Sequence, residues 1–324
     1  MADFFGLEIK NAEGEVDSLR SIDEISKVIS VLKPKSSPYK LIRIGGNEDG
    51  AYLLPNDLTN IKACFSPGVS DFKTFEDELT FLYKIQCHMC DKSTDPEKLK
   101  TPLVDGMQTF KKKWLDVNNA DDSISLEEWV MAYSPNPKDD LILQMDIEGA
   151  EYKNLFNTSE EILKRFRIMV IEFHGLDNIT NPQVLSEVLL PVFSKIDKYF
   201  QCVHAHANNC CNNYIVPPGT TINIPRLIEL TFLRKDRFLN NSAKQLQPIY
   251  IPHPSDIINV PDKPPLFLNK AWSAEKRSFK SQGKIIRDWF YYILYILDRT
   301  ARNAKMFLNE LGVTKAKSKT ESDL

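Results

Sequence analysis

Glycine is scarce in this chain, 12 residues in 324, and the spacing G-x-G-x-x-G occurs nowhere. That absence argues against a dinucleotide fold, whose glycine loop must bring backbone close to a pyrophosphate. No run of about 18 or more apolar residues exists, so nothing reads as a transmembrane helix. The opening MADFFGLEIK has no basic stretch ahead of an apolar one, and a secretory signal is not expected. Six cysteines in a long chain are too few for a disulfide scaffold; the expectation is a reduced, cytoplasmic setting with free thiols. Net charge is only −3, which gives no overall basic excess for a phosphate backbone. No internal repeat is visible.

What is present is an ordinary globular composition, 42% hydrophobic and 26% charged, enough for one large domain with additions or two small ones. The stretch LILQMDIEGAEY, residues 141 to 152, organises the rest. Leu141, Ile142 and Leu143 read as a strand buried on both faces. The chain then turns acidic at Asp146, Glu148 and Glu151, with Gly149 permitting a tight turn into a helix. In an open α/β sheet ligands bind beyond the carboxyl ends of the strands, where Asp146 would sit. Capping of the following helix is the competing reading for Asp146 and Glu148.

Around this centre, strands and helices alternate. Residues 18 to 33 carry Leu19, Ile22, Ile25, Val28, Ile29 and Leu32 at helical spacing, stopped by Pro34. YKLIRIGGNEDGAYLLP reads as a hairpin or strand-loop-strand. IKACFSPGVS is a strand; DFKTFEDELTFLY is a helix with Phe72, Phe75, Leu79 and Leu82 on one side. KIQCHMCD is a strand closing on Asp91, and MQTFKKKWL a candidate third. SISLEEWVMAY opens with a Ser125-to-Glu128 capping box. FRIMVIEFHG, YFQCVHAHANN and LIELTFLRKD are further strands, with a helix predicted over NPQVLSEVLLPVFSKI. The pattern predicts a mostly parallel sheet with helices on both faces and one antiparallel strand near an edge. Cys87 and Cys90 form a C-x-x-C, but on a strand they point to opposite faces, which suits core thiols better than zinc.

Three strand ends suggest chemistry. Gly68 lies at a strand-turn-helix junction where backbone can approach a nucleotide-like ligand. Asp91 ends the next strand, where an acid can accept hydrogen bonds from ribose hydroxyls. With the acidic end at Asp146, the set suits S-adenosylmethionine, which has a ribose and no phosphate.

RIGGNEDGAYLLP (43 to 55), CFSPGVSDFKTFE (64 to 76), SLEEW (125 to 129), QMDIEGAEY (144 to 152) and VIEFHGL (170 to 176) together resemble the FkbM-type S-adenosylmethionine-dependent methyltransferases. HAHANN (204 to 209) and IELTFLRK (228 to 235) match a subgroup, and the resemblance spans roughly residues 40 to 236. Ala51 stands where members often have a second glycine, and Ser70 and Asp71 where their loop is richer in glycine. The resemblance implies a Rossmann-like class I methyltransferase fold, with a seven-stranded, mostly parallel sheet whose last strand is antiparallel. It also implies O-methylation, commonly of sugars. Asp49 and Glu76 would then join Gly68, Asp91 and Asp146 around the cofactor, Glu76 otherwise only supporting the Gly68 turn.

A sugar hydroxyl needs a base, a metal, or both. His174 is the candidate base, with Asp146 beside it; alternatively His174, Asp146 and Glu172 hold a divalent ion such as Mg²⁺ or Mn²⁺. Glu148, Glu172, His204, His206, Asn208 and Asn209 are candidates for holding the acceptor; His204, His206 and Asn208 fall in one row of their strand, and Asn208 and Asn209 supply paired donors and acceptors. Methylation of a non-sugar hydroxyl, or a non-catalytic cofactor-binding module in glycan assembly, are the alternatives.

The expected organisation is a methyltransferase domain over 1–247, a linker or strap over 248–266 with six of the 19 prolines, a terminal amphipathic helix over 267–312, and a disordered tail over 313–324. Residues 270 to 305 carry nine Lys or Arg against three acids, leaving the chain before them at about −9. With Trp289, Phe290, Tyr291, Tyr292 and Tyr295, that helix suits a membrane interface. The competing reading is docking on the acidic body or on a second copy in a homodimer.

Overall fold

The computed structural model describes residues 18–47, 50–211, 213–239, 245–273 and 279–310. Seven strands form one sheet: β1 (Ile61–Pro67), β2 (Gln86–Cys90), β3 (Gln108–Lys111), β4 (Asp140–Met145), β5 (Phe166–His174), β6 (Phe200–Ala207) and β7 (Leu227–Arg234). Their order is β6-β7-β5-β4-β1-β2-β3. Every pairing from β5 to β3 is parallel, and β7 runs antiparallel to both neighbours. The expected mostly parallel sheet and its antiparallel last strand are both present.

The apolar runs at the sheet centre serve two cores by simple alternation. Phe65, Leu143, Met169 and Phe173 face one side, against helices α1 (Ser18–Leu32), α3 (Leu126–Tyr133), α4 (Glu151–Asn157) and α5 (Leu190–Tyr199). Cys64, Ile142, Ile168 and Val170 face the other, against α2 (Thr74–Tyr83) and a hairpin of Leu41–Ile44 with Tyr52–Pro55. Cys87 and Cys90 belong to opposite cores, as buried free thiols. Ser125 caps α3, accepting from Glu128 N at 3.2 Å.

One local expectation was overturned. Phe72 and Leu82 are exposed, so the buried face of α2 rests on Phe75 and Leu79. The helix expected over NPQVLSEVLLPVFSKI is present, running unbroken from Pro182 through a π-helical stretch, Leu185–Leu189, into α5. Pro191 has no N–H to return to the preceding turn, and the wider turn accommodates that missing bond.

The Pro-rich segment forms no helix or strand among its described residues but packs back on the sheet. Ile251, Leu268 and Trp272 join the larger core, and Trp272 Nε1 donates to Asn223 O at 2.7 Å. It is a strap, held by the body it follows. A terminal helix, α6 (Phe279–Glu310), comes after it. Among the described residues no helix is long and apolar enough to cross a membrane.

Candidate functional site

The carboxyl ends of β1 and β4 meet where Gly68 and Asp146 touch. Gly68 has φ +86°, and a Cβ there would stand 1.6 Å from Asp146 O. Only glycine admits that contact. Above it opens a cavity of about 330 Å³, floored by Tyr52, Glu76, Gln144 and Asp146 and walled by the segment from Gly68 to Phe72. Among the described residues its lining includes three acids, Asp71, Glu76 and Asp146, and no lysine or arginine, although Asp71 is paired from outside by Lys100 at 3.1 Å.

A polar chain runs into the sheet from this floor. Ser66 Oγ lies 2.5 Å from Gln144 Oε1 and also contacts Glu76 Oε1; all three residues are buried. Burial pushes the Glu76 carboxyl up to about 7, the Ser66 hydrogen bond only partly opposing it. Glu76 therefore keeps its proton just below neutral pH and can share it with Ser66. Asp91 does not line the cavity. Its Oδ2 accepts from Ser70 N at 2.8 Å and its Oδ1 from Ser93 N at 2.8 Å, so it shapes the cavity wall through Ser70. Asp49 lies outside the described residues.

The turn after β4 is organised by Glu151, which is fully buried. One oxygen, Oε1, accepts from Ile147 N at 3.0 Å and from Gly149 N at 3.1 Å, and stands 3.1 Å from His174 Nδ1. Those bonds hold Glu148 at φ +57°, an unusual conformation for a residue with a side chain. An ionised carboxylate only accepts, so His174 Nδ1 carries a proton and Nε2 faces outward. Nε2 meets Glu148 Oε2 at 3.4 Å and Asp146 Oδ1 at 3.8 Å. Burial disfavours the imidazolium, but the hydrogen bond and charge of Glu151, with Asp146 and Glu148, outweigh it and hold the His174 pKa above its ordinary value.

Ligand atoms of Asp146, Glu148 and His174 all lie within 4.8 Å of one another. Glu172 is not among them, contrary to the expected set. It lies one pleat back on β5, opposite Glu229 of β7, and accepts from Asn208 Nδ2 at 2.8 Å. The expected Asp146–Glu172–His174 trio is replaced by one in which the turn residue Glu148 takes the place of Glu172.

His204 and His206 do share a face of β6, but the strap occupies it. His204 Nε2 is 3.0 Å and His206 Nδ1 3.5 Å from Asp256, and His206 Nε2 is 3.1 Å from Asn259 Oδ1. Asn209 pairs with the Val260 backbone in both directions, at 2.8 and 2.9 Å. These three side chains are engaged by the strap and not presented at the cavity; Asn208 is turned to Glu172.

Burial lowers the His206 pKa, but Asp256 and Glu229 raise it further, to about 9, while the two histidines hold Asp256 well below the carboxylate range. A histidine whose folded pKa exceeds its unfolded value of about 6.5 contributes fully below that pH and loses its contribution as pH rises through the folded value. The anchor should thus weaken between about pH 6.5 and 9, by about 3 kcal/mol for that shift. Urea unfolding across this window should show the loss in the parent and not in His206→Gln. Equal slopes in both would detach the strap from His206.

Glu151, Glu148 as a partner of His174, the Ser66–Gln144 pair and Asp256 were not expected from the sequence in these roles. No family model matches the chain, and no curated protein matches it significantly.

Proposed function

We propose that the chain is an S-adenosylmethionine-dependent O-methyltransferase acting on a hydroxyl of a glycan or sugar-bearing acceptor. The observation that carries this is the cavity at the ends of β1 and β4, with its acidic, lysine- and arginine-free lining and the His174 cluster sharing Asp146 with it. With Glu76 largely neutral and Asp71 paired, Asp146 is the carboxylate that disfavours a polyphosphate and suits a cationic sulfonium. The cavity volume lies in the range of small-molecule sites, and the sheet has the antiparallel last strand that the family resemblance implies.

When bound, the donor supplies a methyl group whose C–S bond breaks as a C–O bond forms, leaving a neutral thioether. The hydroxyl must shed a proton in that exchange. His174 Nε2 accepts it, with Glu151 fixing the ring through Nδ1 and compensating the imidazolium that forms. Asp146 borders both the cavity and His174, so it orients the acceptor between them. A raised pKa makes His174 a stronger proton acceptor, with a smaller neutral fraction at pH 7.

The donor set also fits a divalent cation. Two carboxylates converge on an imidazole whose other nitrogen is held by a buried carboxylate, the arrangement that fixes ring tautomer in many metal sites. Mg²⁺ or Mn²⁺ would there lower the pKa of a hydroxyl, doing the same work as a base.

Isothermal titration with S-adenosylmethionine tests the donor assignment. Micromolar binding by the parent, lost in Asp91→Ala because Ser70 and the cavity wall are released, is the expected result. No binding by the folded parent removes the assignment.

A further inference from the structure

The terminal helix α6 is built inside out. The residues it buries most deeply against the rest of the chain are polar, Ser281, Lys284 and Asp288, the last two paired with each other, with Ile285, Tyr292 and Ile296 only half-buried beside them. Arg287 adds a hydrogen bond to Pro254 O of the strap at 3.0 Å. Ile286, Trp289, Phe290, Ile293 and Leu297 are all exposed, Ile286 by 71% and Leu297 by 60%. Their spacing of three and four residues aligns them in one stripe, roughly opposite the buried polar residues on the helical circuit. A helix docked only on its own body would show the reverse arrangement.

Three occupants could cover such a stripe, and charge separates them. The body of the chain already holds the opposite, polar side of the helix. A second copy pairing helix against helix would bring together two segments that each carry +6 over residues 270 to 305, so like charges oppose that pairing. An anionic lipid surface meets both properties at once. The apolar stripe enters the acyl boundary, Trp289 at its edge suits the headgroup layer, and the net +6 of the segment attracts anionic headgroups across the width of the helix. Arg287, Arg299 and Arg302 are each at least half exposed but lie on the flank and far side of the helix, paired with Asp288, Asp262 and Asp298, so the segment's excess charge acts on the surface at long range. The helix is not apolar enough to cross, so it would lie in the plane.

We propose that the exposed apolar face of α6 lies on an anionic membrane surface, fixing the domain there through its polar side. This does not depend on the methyl-transfer assignment. The test is sedimentation of the full chain with vesicles of phosphatidylcholine alone and of phosphatidylcholine with phosphatidylserine. Binding should require the anionic lipid, fall with salt, and weaken by about tenfold or more in Phe290→Glu with Ile293→Glu. Both side chains face outward, so the variant should unfold at the same urea concentration as the parent. No pelleting with either vesicle overturns the proposal, as does unchanged pelleting of the variant. A lipid-free dimer dissolved by the same variant, without pelleting, would assign the face to a second copy.

Discussion

Gly68→Ala should destabilise the chain by about 3–5 kcal/mol, combining the strain of positive φ with forced overpacking, and should abolish ligand binding in the cavity. The clash is with backbone: the new Cβ would sit 1.6 Å from Asp146 O and 2.6 Å from its carbonyl carbon. No side-chain rotation relieves that. The two strand ends must separate, yet each is tied in place, Gly68 N to Cys90 O at 3.0 Å and Asp146 N to Pro67 O at 3.2 Å. Gly46 supplies the control, since its φ is +82° but no atom of the described residues lies within 4 Å of its added Cβ. Gly46→Ala should therefore cost only the strain, about 1 kcal/mol or a little more. Urea unfolding of the two variants measures the difference. If Gly68→Ala were no worse than Gly46→Ala, the close approach of β1 to β4 would not hold in solution.

The sheet was legible because its strands are written as apolar runs that end in turn or acidic residues, and those runs need no partner to be recognised. Gly68, Asp146 and His174 were legible for the same reason: a strand end in an open α/β sheet is a place as well as a sequence. Ser66 and Gln144 carried a usable signal, being polar residues inside the otherwise apolar runs ACFSP and LILQM. A polar group buried mid-strand needs a partner, and these two find each other across β1 and β4.

Other features had no such signature. Glu151 reads as an acid in the first turn of a helix, which the helix dipole alone would explain. Its role depends on the reach of His174 from another strand, and no spacing records that. Asp256 sits in a segment without period, 50 residues beyond His206, so its pairing follows from how the strap lies. The histidine row was seen correctly as one face of β6; which partner would cover that face was not encoded in the strand itself.

On the proposed function, His174→Ala should reduce methyl transfer by roughly a hundredfold to ten-thousandfold, the usual weight of a positioned proton acceptor. Donor affinity should change little, because His174 does not line the cavity. Single-turnover rates and titration of the same variant separate the two effects, and near-normal turnover would remove His174 from the chemistry. Proton acceptance and cation binding then part at Glu148. Its side chain is 87% exposed and touches only the outward nitrogen, so Glu148→Gln should leave most turnover if His174 acts as a base. If a divalent ion is required, the same change removes one of three ligands, and turnover should fall with it and with added chelator. Glu151→Ala acts from behind in either case. It strands Ile147 N, Gly149 N and His174 Nδ1, at about 1–3 kcal/mol for each donor left buried and unpaired. It should therefore lower stability as well as turnover, whereas His174→Ala should spare most of the stability. A Glu151→Ala chain as active and as stable as the parent would mean the turn after β4 does not need its buried carboxylate, and His174 is not held by it.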